Sequence, residues 1–264
     1  MNKEIDWCFL DLVCDAVKEA GHIIESIANE GFDTAYKERQ DPVTNADRAA
    51  NDFLHERLLH LLPDAGWLSE ETRDNDERLT KDYVWIVDPI DGTKEFIDRV
   101  PHYAVSVALI YHSQLILGVV YNPSKNECFS ALREYGAWLN AEPIRADYHE
   151  TDKMRVLGSR TEINRGEFEP FAGHLEVVAV GSIAYKLALI AAGKANATFS
   201  LTPKNEWDIA AGVLLMEEAG GMITDKLRRP FVFNQSDTLV NGVIASTKAS
   251  YYRMIQLIDS LIKK

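Results

Sequence analysis

Tyr83-Val84-Trp85-Ile86-Val87 is a short apolar, β-rich run that reads as a buried strand. It runs directly into Asp88-Pro89-Ile90-Asp91-Gly92-Thr93-Lys94-Glu95-Phe96. Proline cannot donate to a sheet ladder, so the strand is expected to end at Asp88-Pro89. Asp88 and Asp91 then sit at the end of a buried strand, followed by a glycine, a hydroxyl residue and the start of a helical turn. Anions this close repel each other unless a cation or a proton lies between them. Oxygen-only ligands favour a hard ion such as Mg²⁺, and the N–H groups beyond Gly92 suit a phosphate. An Asx turn closed by Asp91-Gly92 would require no ligand, and the stretch alone does not separate the two readings.

A chain of 264 residues, 46% hydrophobic, can bury a sizeable core as one large domain or two closely joined halves. Its formal net charge of −13 argues against a nucleic-acid polymer or an anionic membrane as partner. A small anionic substrate would be repelled as well, unless bound metal inverts the field locally. Cys8, Cys14 and Cys128 make no CxxC pair and no even framework, so they read as reduced thiols of a cytoplasmic protein. No HxxxH or HExxH spacing suggests zinc. The first residues do not read as a signal peptide, and no apolar run has the length of a membrane span.

Residues 5–29 carry a helical stripe (Phe9, Val13, Val17, Ala20, Ile24, Ile27) that Gly31 stops. Thr44 or Asn45 can cap a second helix to about Leu62, with Ala49, Phe53, Leu54, Leu58 and Leu61 inward. Asp47 falls in its first turn, where it either favours the helix dipole or faces the 88–93 turn. Trp67-Leu68-Ser69 is a short strand ending in Glu70-Glu71, and residues 72–82 are a charged loop. Residues 103–111 and 114–121 read as a hairpin around His112-Ser113, and 127–132 with 135–139 as another. The polar segment Tyr148–Lys153 divides an N-terminal α+β half (1–147), with the carboxylate turn, from a C-terminal α/β half (154–264); the two are expected to pack as one catalytic unit. In the second half, strands are expected at 154–159, 175–180, 195–199, 222–224 and 242–246. Helices are expected from Gly181-Ser182 to about Ala192, from Trp207-Asp208 to Gly220 with Ile209, Val213, Leu214 and Met216 as its apolar face, and over 248–262.

Glu70, Asp88, Asp91 and Asp208 each stand where a strand or helix end can deliver a carboxylate into one cleft, though each alone also reads as a loop, turn or capping acid. Asp88-Pro89-Ile90-Asp91-Gly92-Thr93 together with Trp207-Asp208-Ile209-Ala210-Ala211-Gly212 resembles both signature motifs of the inositol monophosphatase superfamily, and Asp41-Pro42-Val43-Thr44-Asn45-Ala46-Asp47 and Ser69-Glu70-Glu71 resemble its upstream elements. The resemblance spans about residues 5–262 and implies an α+β fold, an αβαβα layered sandwich of the inositol monophosphatase and fructose-1,6-bisphosphatase type. It implies a Mg²⁺-dependent, typically lithium-sensitive phosphomonoesterase, commonly a homodimer. Glu70, Asp88 and the Ile90 carbonyl would hold one Mg²⁺; Asp88, Asp91 and Asp208 would hold a second; a third, weaker ion would lean on Glu70. Asp47 and Thr93, with Glu70, would activate the attacking water, and the Gly92 and Thr93 N–H groups would hold the phosphate.

Asp91-Gly92-Thr93-Lys94-Glu95-Phe96 looks like the 3′(2′),5′-bisphosphate nucleotidase branch, where inositol phosphatases more often have Thr-Asn-Phe. Seven residues before Asp208 the animal inositol enzymes carry a Glu, and this chain has Leu201. Against the nucleotidase branch, 181–188 and 202–206 match it loosely, and Ser200 stands where those enzymes carry Arg. Substrate contacts are assigned to Gly92, Thr93, Lys94, Gly181, Ser182 and Glu206. Lys94, Lys186 and Lys204 could meet a second phosphate or be solvated lysines, and Glu206 could bind a ribose or inositol hydroxyl or face water. The expected activity is removal of the 3′-phosphate of adenosine 3′,5′-bisphosphate by direct water attack. Inositol-1-phosphate is the alternative, then NADP(H) or fructose-1,6-bisphosphate. A non-catalytic member, a metal-dependent regulator or a partner for other proteins, would more naturally lack Asp47, Glu70, Thr93 or one of the metal-bridging aspartates, and all are present.

Overall fold

In a computed structural model that describes residues 5–37, 41–148 and 153–262, the first periodic stretch forms helix α1 (Trp7–Glu30). Asp6 caps it through the Phe9 N–H (2.9 Å), and Gly31 ends it. Strands β1 (Thr34–Tyr36) and β2 (Pro42–Thr44) pair as a small hairpin ahead of α2 (Asn45–Leu61). Thr44 caps α2 in a reciprocal capping box with Asp47. The buried face of α2 is Ala46, Asp47, Ala50, Asn51, Leu54 and Leu58, while the expected Ala49, Phe53 and Leu61 are half-buried. Polar contacts set this rotation. Asp47 is turned inward towards Thr93 (3.1 Å), and Asn51 accepts from the Ser69 hydroxyl (2.7 Å), so hydrophobic spacing alone misjudges the face.

One sheet takes its strands in chain order: β3 (Gly66–Ser69), β4 (Tyr83–Asp91), then, after the short helix α3 (Thr93–Ile97), β5 (Ala104–Tyr111), β6 (Gln114–Asn122), β7 (Glu127–Leu132), β8 (Gly136–Leu139) and β9 (Glu142–Pro143). The first pair is parallel and the rest antiparallel. His112 and Ser113 both have positive φ (47° and 67°), as a two-residue primed hairpin turn demands. One expectation fails here: β4 does not stop at Asp88-Pro89 but runs to Asp91. Its partner register against β5 goes from Asp88–Ser106 to Asp91–Ala104, one extra residue on β4. Pro89 is accommodated because it lies in that bulge, and because β3 has ended opposite Val87, so nothing on that side needs an N–H.

The second sheet comprises β10 (Met154–Gly158), β11 (Leu175–Ala179), β12 (Ala197–Ser200), β14 (Met222–Thr224) and β16 (Val243–Ser246), in the order β11-β10-β12-β16-β14. Between these strands lie α4 (Arg160–Asn164), α5 (Ile183–Ala191), the small paired strands β13 (Lys204–Asn205) and β15 (Leu239–Val240), α6 (Glu206–Glu218) and finally α7 (Tyr251–Leu261). Residues 149–152 of the expected polar divide lie outside the described residues.

The layers run α1–α2, seven-stranded sheet, α5–α6, five-stranded sheet, α7, which is the αβαβα sandwich expected. Because α6 lies between two sheets, every residue from Ile209 to Met216 is buried, and its apolar character goes all round rather than forming the stripe expected.

Candidate active site

A cleft of about 370 Å³ opens where β3 and β4 end and where α2, α5 and α6 begin. Glu70 comes from the end of β3, Asp88 from the bulge of β4, and Asp208 from the first turn of α6. One oxygen from each lies within 4.8 Å of the others. Asp88 is only 1% exposed; its carboxylate accepts the Ile90 N–H (3.0 Å). Asp208 accepts the Asn205 N–H (2.8 Å). Burial, reinforced by the neighbouring carboxylates, pushes Asp88 and Asp208 well above the usual carboxylate range. Burial raises Glu70 too, against the nearby Lys37 ammonium. Three acids drawn together in this way, Asp88 buried and Glu70 and Asp208 half-buried, suit a cation, and an all-oxygen donor set suits a hard one.

Asp91 lines the same cleft, next to that set of three. Its Oδ2 accepts from the Ser182 hydroxyl and the Ala184 N–H, 2.6 Å each, at the start of α5. Ser182 holds this position with a backbone at φ 58°, ψ 121°, a conformation costly for any residue with a side chain.

Thr93 Oγ1 lies 3.1 Å from Asp47 Oδ1 and 3.2 Å from the Ile90 carbonyl oxygen. Asp47 Oδ2 takes the N–H and hydroxyl of Thr44 at 2.7 and 2.6 Å. Burial raises Asp47 above its ordinary range despite these donors. Gly92, just before Thr93, has φ 99°, and a Cβ there would come 3.1 Å from the His102 carbonyl oxygen. Only glycine meets both demands.

The assigned substrate residues separate. Gly92, Thr93, Lys94 and Ser182 line the cleft. Gly181 is buried against Glu95 and does not reach its surface. Glu206 is 1% exposed and away from the cleft; its two oxygens accept the N–H groups of Asn234 (2.7 Å) and Gln235 (2.9 Å). Lys186 and Lys204 line the cleft, Lys186 only 2% exposed and 3.7 Å from Glu162. Sequence reasoning missed Lys37, whose ammonium bonds Glu70 (3.0 Å) and Glu71. It also missed the α4 wall, where Ser159, Thr161, Glu162 and Arg165 face the cleft. Lys37 has no local pattern to reveal it. Ser159-x-x-Glu162, however, forms a capping box, and that spacing is a readable helix start.

The placement of Glu206 carries a prediction. Glu206→Gln puts an NH₂ group against one of the two backbone donors, so it should cost about 1–2 kcal/mol in chemical denaturation. It should leave KM unchanged. A raised KM with unaltered stability would contradict the anchoring role.

The comparisons agree with this geometry. Residues 8–263 match the family model described as "Inositol monophosphatase family". The "3′(2′),5′-bisphosphate nucleotidase CysQ" of Escherichia coli (strain K12) is 34% identical over 239 residues, 88% of this chain and 96% of that protein. An "Inositol monophosphatase" of Mesembryanthemum crystallinum is 32% identical over 254 residues, 90% and 91% of the two chains. Among solved structures, the IMPase of Thermotoga maritima superposes with a TM-score of 0.84 at 26% identity, covering 96% of this chain and 97% of that one.

The layered sandwich and its acidic cleft are those of a phosphatase. The chain belongs to the inositol monophosphatase family, and its acidic cluster is one that can bind metal.

Proposed function

We propose that the chain is a Mg²⁺-dependent 3′(2′),5′-bisphosphate nucleotidase, releasing the 3′-phosphate of adenosine 3′,5′-bisphosphate. The observation that carries this reading is the cleft's cationic wall: Lys94, Lys186 and Lys204 share one cavity with the acidic group, so a substrate with a second phosphate has cations to meet. The Lys94-Glu95-Phe96 signature supports it, and so does the Escherichia coli relative named as a nucleotidase.

Glu70, Asp88 and the Ile90 carbonyl would hold one Mg²⁺, and Asp88, Asp91 and Asp208 a second, with a third, weaker ion near Glu70. Bound metal lowers the pKa of an attacking water and stabilises the departing alkoxide. The rest falls to the chain. Thr93, hydrogen-bonded to Asp47 at 3.1 Å, takes the proton of the water and relays its own to Asp47. The N–H groups of Gly92 and Thr93 hold the phosphate, and Lys94 and Ser182 bound it on either side. The family resemblance supports a lithium-sensitive homodimer, and three cysteines without a disulfide framework support a cytoplasmic one. Its halves, 1–147 and 154–264, act as one catalytic unit.

An inositol-1-monophosphatase is the second reading, favoured by the plant relative named an inositol monophosphatase. Against it, Leu201 packs into a hydrophobic cluster where a ring-binding acid would stand. Phosphate release with Mg²⁺, with and without lithium, decides between them through kcat/KM for adenosine 3′,5′-bisphosphate and inositol 1-phosphate. The nucleotide should be preferred by about tenfold or more, which is about 1.4 kcal/mol in transition-state binding. The reverse preference would install the second reading.

A further inference from the structure

Next to the cleft lies a second concavity of about 360 Å³, and the two share Pro42, Lys94, Glu95 and Thr161. Lys94, next to Thr93 in the chain, lines both. Its size is that of a small-molecule site.

Its lining is unlike that of the cleft. Tyr36, paired to Pro42 between β1 and β2, lines it and is 71% exposed. Ile97 adds apolar surface. Arg160 is locked in place: its Nε donates to Glu95 (3.1 Å) and a terminal nitrogen donates to Asp98 (2.8 Å). Those bonds lie in the plane of the guanidinium and leave its faces for stacking. Asn164, exposed at the end of α4, makes no side-chain hydrogen bond among the described residues.

We propose that this concavity seats the purine base of the leaving nucleoside, stacked on Tyr36 and Arg160 and read at its edge by the Asn164 carboxamide. The inference rests on the nucleotidase reading and deepens it. Bases stack on tyrosine rings and arginine planes, and an asparagine amide matches the donor–acceptor edge of adenine. An inositol ring has no π face and gains nothing from such a site. The arrangement also gives the Lys94-Glu95 signature a physical role. Lys94 stands on the border of the two concavities, and Glu95 fixes the arginine plane on which the base would lie.

Tyr36→Ala and Asn164→Ala test the site, and both residues are exposed enough that folding is not at stake. Steady-state kinetics would be measured on adenosine 3′,5′-bisphosphate and on glycerol 2-phosphate, an ester without a base. KM for the nucleotide should rise about tenfold in each variant, the scale of losing one stacked or edge-bonded base contact. The kcat should stay within about twofold, and the glycerol ester should be unaffected. An unchanged KM for the nucleotide, or equal losses on both substrates, would overturn the base site and leave the nucleotidase reading standing. A wild-type enzyme that hydrolyses glycerol 2-phosphate but not the nucleotide would overturn both.

Discussion

Replacing Asp88 by asparagine should reduce phosphate release by at least about a thousandfold, about 4 kcal/mol, the scale of removing one preorganised charge-bearing group from a reacting centre. The same change should leave the metal-free protein as stable as before, or more so. Asp88 is 1% exposed, and Glu70, Asp91, Asp208 and Asp47 all act to hold its proton on. A neutral amide of the same shape removes a charge that burial and these neighbours oppose, and its oxygen can still accept the Ile90 N–H. Function and stability therefore pull in opposite directions at this residue. Thermal unfolding with and without Mg²⁺ separates them. A cation that binds only the folded state raises stability by mass action, so wild type should show a metal-dependent rise in Tm. Asp88→Asn should lose most of that rise while starting from an equal or higher Tm. Near-normal turnover in the variant, or an undiminished metal-induced shift, would remove Asp88 from the metal site.

What could be read beforehand, and what could not, depends on how local the cause is. Val84-Trp85-Ile86-Val87 followed by two aspartates announces a buried strand delivering charge, because both signals lie within one stretch of chain. The extension of β4 through Pro89 is invisible at that range. It depends on β3 ending opposite Val87, a fact about another segment. Asp47 was legible as a first-turn acid of α2, but its choice between dipole and cleft is made by Thr93, 46 positions away. Asp91 was grouped with Asp88 by spacing, yet its Oδ2 is drawn to the N-terminus of α5 by Ser182 and Ala184. By sequence Glu206 reads as an acid that binds a substrate hydroxyl or faces water, and it is taken up by the backbone of residues 234 and 235. In each case residue type and local period are readable, and the hydrogen-bond partner comes from a distant part of the chain.

The Ala210-Ala211-Gly212 half of the second motif does not line the cleft, and it lets α6 lie close to its neighbours, with Asp208 reaching the cleft from its first turn. On one side, a Cβ on Gly118 of β6 would come 3.0 Å from the Ala211 carbonyl oxygen. On the other, a Cβ on Gly212 would come 2.7 Å from Leu187 Cβ and 2.6 Å from its Cδ1. Leu187 is itself fully buried on α5 and has no open space to turn into. Gly212→Val must therefore push α5 away from α6, at a cost of about 3 kcal/mol, the upper range for overpacking a filled core. For a protein of this size that is a Tm lower by roughly 6–12 °C. The same displacement reaches the site, because the start of α5 holds Asp91 through Ser182 and Ala184 while the start of α6 carries Asp208. The Mg²⁺ concentration for half-maximal activity should accordingly rise in Gly212→Val, although residue 212 does not line the cleft. Gly212→Ala should show the same two effects in smaller measure, since a single methyl leaves Leu187 less to yield. If Gly212→Val kept the wild-type Tm and metal requirement, the close packing of α5 on α6 would not be what sets the spacing of the two aspartates.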